Sequence, residues 1–295
     1  MIHHSLLKSI ILTGFALVAF AANSILSRLA LENHAIDASS FTVIRLISGA
    51  VVLLVILSLT RNKSSEVSAK GSWLASFMLF LYAISFSYAY LTLETGTGAL
   101  ILFGSVQITM ILISIYSGSR LHITEWIGIV IAFIGFVYLI LPDVSTPSLT
   151  GFLLMTVSGI AWGGYTLKGR SSKNPLSDTT YNFIRIMPFA LILVISTLNS
   201  ANYSFHGVIL ATLSGGIASG IGYTVWYSAL SYLTSTQAAV FQLLVPAIAA
   251  LGGVIFVSEP ITLRLFISGT LILGGVLMVI LGKKYLSKID RKPKI

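Results

Sequence analysis

Two arginines stand inside apolar runs where an unpaired charge is expensive. Arg45 lies in FTVIRLISGAVVLLVI and Arg185 in YNFIRIMPFALILVI. A guanidinium in hydrocarbon is tolerated when it pairs, faces a cavity or reaches the headgroups. The chemistry open to the pair is gating at the two mouths of a pathway or attraction of an anionic solute group, and snorkelling to lipid headgroups accounts for the same residues. Asn23, Gln107 and Gln242 are amides inside apolar runs. Each needs a polar partner, which is a bound solute or a neighbouring helix. Aromatic residues are dense at mid-segment positions: Tyr82, Phe86, Tyr88, Tyr90, Trp162, Tyr165, Tyr223, Trp226 and Tyr227. They suit a pocket for an apolar or aromatic solute, and ordinary core packing explains them as well. Pro246 interrupts an apolar run and predicts a helix break with a freed carbonyl, hence a hinge or a binding-site break.

The residues of catalysis are placed differently. All nine carboxylates, Glu32, Asp37, Glu66, Glu94, Glu125, Asp143, Asp178, Glu259 and Asp290, fall in linkers, tails or outermost turns, and all five histidines lie in tails or linkers. No cysteine occurs, which excludes thiol chemistry, disulfides and cysteine metal sites. No Walker A, HExxH or G-x-S-x-G sequence is present, so the motifs of ATP-driven pumping, zinc proteolysis and serine hydrolysis are missing. The reading is therefore of a protein that is not an enzyme, with no cofactor and no metal site. A midplane carboxylate or histidine of the kind used in proton coupling is absent. Glu94 and Glu259, at the rim, are the carboxylates left for that role, and solvation of a helix end explains both.

What must position these residues is a membrane bundle. Of 295 residues 56% are hydrophobic and only 9% charged, with mean hydropathy +0.94. So few charges cannot cover a water-facing surface, since soluble domains carry about 25%. The net charge of +9 does not point to nucleic acid, because the basic residues cluster at segment ends and in the tail. A helix crosses the hydrocarbon core in roughly 20 residues. Ten such stretches are readable: 9–29, 41–60, 72–93, 98–117, 123–141, 151–168, 179–198, 207–230, 236–257 and 263–282. With the N-terminus in the cytoplasm, fourteen of eighteen basic residues fall inside, including Lys8, Arg61, Lys63, Lys70, Arg120, Lys168, Arg170 and Lys173. The positive-inside rule then puts both termini in the cytoplasm and the protein in the cytoplasmic (inner) membrane.

The chain also repeats itself at a spacing of about 139 residues. Tyr88 matches Tyr227, Thr97 matches Thr236, Ala99 matches Ala238 and Ser119 matches Ser258. IAFIGFVYLIL ending at Leu141 matches TLILGGVLMVIL ending at Leu281. Five helices per repeat is odd, so the second repeat must be inverted, the architecture of many alternating-access carriers. The first repeat spans 1–145, the second 146–283, and 284–295 is a basic cytoplasmic tail. The N-terminal run resembles a signal peptide, but Gly14-Phe15 repeats as Gly151-Phe152, so the first helix is expected to be kept. Gly128 and Gly135 in the fifth helix, and Gly269, Gly274 and Gly275 in the tenth, allow close backbone approach, so these two helices are expected to pack together or against a second subunit.

At this point the sequence resembles the EamA-type drug/metabolite transporter family. The residues that carry the likeness are AFAANSILSRLAL at 19–31, SFTVIRLISGA at 40–50, ETGTGALILFGSVQ at 94–107, GIAWGGYTLKGR at 159–170 and the run from Ser235 to Met278, with Pro246 and Glu259-Pro260 its most specific features. The resemblance implies ten helices in two inverted repeats, a central cavity and export of amino acids, metabolites or drugs. The first repeat departs from the family pattern: Gln107 stands where a proline is frequent, Ser119-Arg120 where Gly-Glu is frequent, and small residues replace Trp-Gly before Asn23. That makes Asn23 and Gln107 the leading substrate contacts.

The expectation is thus an all-α integral membrane protein, a secondary carrier exporting a small metabolite such as an amino acid. The expected substrate contacts are Asn23, Tyr88, Gln107, Trp162, Tyr165, Trp226, Tyr227 and Gln242, with Arg45, Arg185 and Pro246 as gating residues. Its partners would be that solute and the lipid bilayer, with no nucleic acid, and its state a monomer or homodimer. A membrane-embedded lipid-handling protein, flippase-like or enzymatic, and a channel are the alternatives.

Overall fold

The computed structural model describes residues 2–32, 34–60, 70–118, 122–140, 147–169, 172, 174–230, 232–233 and 235–289. Ser119, Arg120, Arg61, Lys63, Glu66, Asp143, Arg170, Lys173, Asp290, the repeat junction at 145/146 and the end of the basic tail lie outside these residues.

Apolar runs with few charges fold as helices, because only a helix satisfies its own backbone in lipid. The first half contains α1 (Ile2–Glu32), α2 (Ala38–Thr60), α3 (Trp73–Ala89), α4 (Thr95–Tyr116) and α5 (Ile123–Ile140). The second contains α6 (Leu149–Gly169), α7 (Pro175–Arg185), α8 (Met187–Thr197), α9 (Phe205–Leu213), α10 (Gly222–Leu230), α11 (Ser235–Gln242), α12 (Val245–Gly252) and α13 (Leu263–Ile289). Among the described residues no strand forms, and Ile36 with Tyr203 makes one isolated bridge. Seven described stretches are long and apolar enough to cross a membrane, and Trp73–Ala89 and Ile123–Leu139 are shorter apolar helices.

The ends of these helices are written locally. Ser72, Asn174 and Ser204 accept backbone N–H bonds from Ala75, Ser177 and Gly207, capping α3, α7 and α9. Asp37 does the same for α2, accepting from Ser39 and Ser40, and also takes the N–H of Asn202 from the other half. Burial alone would raise the Asp37 pKa, but these hydrogen bonds outweigh it and hold the carboxyl below its usual value.

The second half is less regular than its smooth hydropathy predicts. Pro188 separates α7 from α8 just after Arg185, and Leu243-Leu244 separates α11 from α12 just before Pro246. Ser214–Ile221 between α9 and α10 is π-helical, as is Gly253–Val257 after α12, which ends at Ser258 with φ +61°. The expected span 72–93 is shorter, since α3 stops at Ala89 and Tyr90–Leu93 form turns.

Helices α5 and α13 pack tightly and antiparallel: Gly128 lies against Gly275 and Val279, while Gly135 lies against Leu271 and Ile272. A Cβ on Gly275 would sit 2.5 Å from the Gly128 carbonyl oxygen, so only glycine permits this approach. The expected pairing of these two helices is thus present within one chain. Elsewhere the halves interleave. Helix α1 packs on α9, α10 and α12, α2 on the π-helical segment, and α3 and α4 on α6. Gly151 sits against Leu93 and Gly164 against Met78, so α6 runs antiparallel to α3. This puts Lys168 and Tyr90 at opposite ends of the bundle.

Candidate functional site

A cavity of about 260 Å³ opens between α6, α10 and α11 at the end of the bundle that carries Lys168. Trp162, Tyr165, Tyr223, Trp226, Tyr227 and Gln242 line it. Five of the residues expected to contact solute are therefore brought together: Trp162, Tyr165, Trp226, Tyr227 and Gln242. Their convergence follows from helix periodicity. Trp162 and Tyr165 are three apart on α6, and Tyr223, Trp226 and Tyr227 are three and four apart on α10, so each set shares one face. Gln242 is placed by the break that ends α11. Thr179 links the walls, accepting from the Tyr165 hydroxyl at 3.3 Å and donating to the Tyr227 hydroxyl at 3.4 Å. Met110 is the first half's contribution to this lining.

The inner wall is an aromatic layer. Trp162 lies 4.8 Å from Tyr82, 5.4 Å from Tyr165 and 5.1 Å from Tyr223 between ring centroids. Behind it, a narrow space of about 20 Å³ is bordered by Phe20, Asn23, Tyr82, Phe86, Trp162 and Tyr223. Asn23 is 6% exposed and spoken for at both ends. Its Nδ2 donates to the Tyr82 hydroxyl at 3.3 Å, and its Oδ1 accepts from Ser214 Oγ at 2.5 Å. It bridges α1, α3 and the π-helical segment while bordering this deep space.

Arg45 does not snorkel. It is 2% exposed, donates from Nη2 to the Tyr82 hydroxyl at 2.8 Å, and stands over the rings of Tyr82 and Phe86 at 5.2 and 4.7 Å. Its repeat counterpart Arg185 is half-buried, 5.9 Å from the Trp73 ring centroid, at the point where α7 gives way to α8. Tyr88 stands apart from the cavity, hydrogen-bonded to Ser39 at 2.7 Å. Gln107 is 2% exposed with its Nε2 unpartnered, and it lines neither cavity. Pro246 is buried at the start of α12 and borders a lateral groove of about 650 Å³ between α4, α12 and α13, where Leu100, Leu244, Leu265 and Leu273 predominate in an almost wholly apolar lining.

At the end opposite Lys168, α1 is locked to the end of the second half. Arg28 Nε donates to Glu259 Oε1 at 3.0 Å, Nη1 to the Tyr90 carbonyl at 3.2 Å, and Nη2 to Glu32 at 3.0 Å. Glu259 Oε2 accepts the Thr95 N–H at 2.8 Å, capping α4 across the bundle. Beside it, burial and then the charge of Glu259 raise the pKa of Glu94, against the opposing effect of Arg28. The sequence places Arg28 and Glu259 at segment ends but gives no sign that residues 231 apart would pair. Tyr82, the hydroxyl on which Asn23 and Arg45 converge, is legible only as one of nine aromatics. Among the described residues no group of three or more His, Asp or Glu could hold a metal ion.

The chain matches the EamA-like transporter family over residues 7–141 and again over 149–281. It is 45% identical to an uncharacterized protein of Pseudomonas aeruginosa over 273 residues, covering 92% of this chain and 94% of that one. It is 29% identical to an uncharacterized transporter of Archaeoglobus fulgidus over 216 residues, covering 69% and 76%. With the uncharacterized transporter YoaV of Bacillus subtilis it shares 22% identity over 257 residues, covering 83% and 88%. A solved crystal structure superposes with a TM-score of 0.59 at 17% identity, covering 92% of this chain and 98% of that one, a likeness of fold.

Proposed function

Because this chain belongs to the EamA-like transporter family, as a multi-pass membrane protein with the two-repeat architecture of that family, we propose that it is a secondary carrier that exports a small metabolite, with an amino acid as the first candidate. One observation carries the reading: the aromatic cavity stands at one end of the bundle, while the Arg28–Glu259 lock closes the other. A carrier caught with one mouth accessible has this form. The positive-inside rule puts Lys168 and the cavity mouth on the cytoplasmic side, with both termini, and ten crossings in two inverted repeats are consistent with the antiparallel packing of α5 on α13. In this state the protein would load solute from the cytoplasm. Release would follow when the Arg28–Glu259 contact parts and the Trp162–Tyr223 layer rearranges. Substrate contacts would come from Trp162, Tyr165, Trp226, Tyr227 and Gln242 first, with Asn23 in the deeper space. The helix breaks beside Arg185 and Pro246 supply hinges. The unit of function would be the monomer, alone or in a homodimer.

The test is flux in proteoliposomes loaded with amino acids, nucleosides or sugars. Flux of one class that saturates with concentration and is lost in Trp162→Ala supports the carrier. Flux that rises without saturating would indicate a pore instead. The lateral apolar groove favours one second reading, movement of a lipid, since an acyl chain matches its lining. A headgroup-labelled phospholipid that changes leaflet in the same vesicles, with no solute flux, would establish that reading.

A further inference from the structure

Among the described residues Arg45 is a cation without a counter-charge. No carboxylate among them pairs with Arg45, whereas Arg28 pairs with both Glu32 and Glu259. Its own Nη1, that of Arg45, is buried and has no hydrogen-bond partner among the described residues. One hydroxyl and two ring faces stand in for solvent around a group whose burial is costly. Structural arginines inside membranes normally end on a carboxylate, a carbonyl or a headgroup.

Three observations indicate what the charge awaits. The rings that cover the guanidinium, Tyr82 and Phe86, also border the deep space beside Asn23. Trp162 and Tyr223 line both that space and the aromatic cavity. The helix segment packed on α2 at this depth is π-helical, a form frequent at functional sites. Gly215 in that segment lies so close to the Arg45 carbonyl and Ser48 Oγ that any side chain would overlap them. The backbone is thus brought tight against the turn that carries Arg45.

We propose that Arg45 is the receptor for a carboxylate at one end of the transported solute, with the aromatic cavity holding its ring or apolar body. The inference rests on the carrier reading above and names the substrate class of that same site. The solute first lodges among Trp162, Tyr165 and Trp226. Displacement of the Trp162–Tyr223 layer then lets its carboxylate reach Nη1, while Nη2 exchanges the Tyr82 hydroxyl for the second carboxylate oxygen. Bidentate pairing of this kind is what a planar guanidinium does better than an ammonium. The desolvation cost of the buried guanidinium is offset on binding, so affinity depends on the charge of the solute head rather than on its ring alone.

The test uses three probes with one ring and three charges: phenylacetate, phenylacetamide and phenethylamine. Binding to the detergent-purified full chain is read by tryptophan fluorescence, since two of the four tryptophans, Trp162 and Trp226, line the cavity, and by thermal stabilisation. Phenylacetate is expected to bind roughly tenfold tighter than the other two, the size of a charge-assisted hydrogen-bond gain. Arg45→Gln should erase that preference, bringing the three probes to similar affinity, and Arg45→Lys should keep part of it. Should Arg45→Gln fail to fold, Arg45→Lys carries the comparison, and equal affinity for the three probes in the unaltered protein still overturns the assignment. Equal binding of all three probes, or preference for the amine, overturns the assignment and leaves the aromatic cavity as the site. Chloride that displaces phenylacetate at equal concentration overturns it in favour of an inorganic-ion site. Failure of every probe to bind overturns it too, and saturable flux of another solute would then keep the carrier reading.

Discussion

Arg28 on α1 and Glu259, immediately before Pro260, meet at 3.0 Å with side chains only 12% and 8% exposed. The pair sits where three elements converge, because Glu259 also caps α4 through Thr95 and Arg28 also holds the Tyr90 carbonyl. Breaking one partner leaves a buried charge, which is worse than losing both. Glu259→Gln is expected to destabilise the protein by about 2 kcal/mol, below the range for an isolated buried pair because Glu32 still holds Arg28. The double change Arg28→Met with Glu259→Met should cost less than the two single changes summed. A double-mutant cycle on detergent-solubilised protein measures this, and strict additivity would remove the pair from the account.

The absence of native cysteine makes sidedness directly measurable. Thr166→Cys, on the cavity wall, should react with a membrane-impermeant thiol reagent from the Lys168 side. Ser24→Cys, 1% exposed beside the deep space, should stay unlabelled from either side. Adding Glu259→Gln should open Ser24→Cys to labelling from the opposite side. Labelling of Ser24→Cys in the otherwise unaltered protein from the Arg28 side would contradict a closed lock.

Glu94 carries a raised pKa from burial and from Glu259. For a carboxyl whose folded pKa lies above its unfolded value, the folded state holds more protons as the group titrates. Stability therefore falls as pH rises from the unfolded pKa through the folded one, and stays lowered above it. Glu94→Gln removes that loss. The variant should melt at or above the wild-type temperature at pH 7 to 8, with the difference shrinking as pH falls towards about 4, the ordinary carboxylate range. A variant that melts lower at neutral pH would mean that the Glu94 charge is itself stabilising.

Adjacent glycines on α13 should answer differently to the same change. A methyl on Gly275 would strike the Gly128 carbonyl and Ala132 backbone, whereas one on Gly274 meets nothing within 4 Å. Gly275→Ala is expected to cost about 1–3 kcal/mol as overpacking against backbone. Gly274→Ala should be neutral or stabilising by up to about 1 kcal/mol from helix propensity. Chemical denaturation of both variants checks the pair, and equal effects would mean that α5 and α13 do not meet at Gly275.

Composition and hydropathy determined the helical membrane class, because covering lipid and satisfying a backbone without water leave few alternatives. Self-similarity gave the two halves, and helical spacing put Trp162 with Tyr165, and Trp226 with Tyr227, on common faces. Those are local properties, legible within a few turns of one chain segment. Which faces would meet was not local. The pattern of buried aromatics and amides made Tyr88, Gln107 and Gln242 all candidates, with Gln107 ahead of the other two, yet packing puts Gln242 in the cavity, Gln107 in a closed core and Tyr88 against Ser39. The breaks after Arg185 and Gln242 and the π-helical turn at Ser214 set those registers, and of their causes only the prolines are visible in advance. Most of all, whether Arg45 would reach a headgroup, a carboxylate or neither depended on what α3 and the π-helical segment place around it. A charge's environment is assembled by residues distant in sequence, so its meaning is decided in three dimensions.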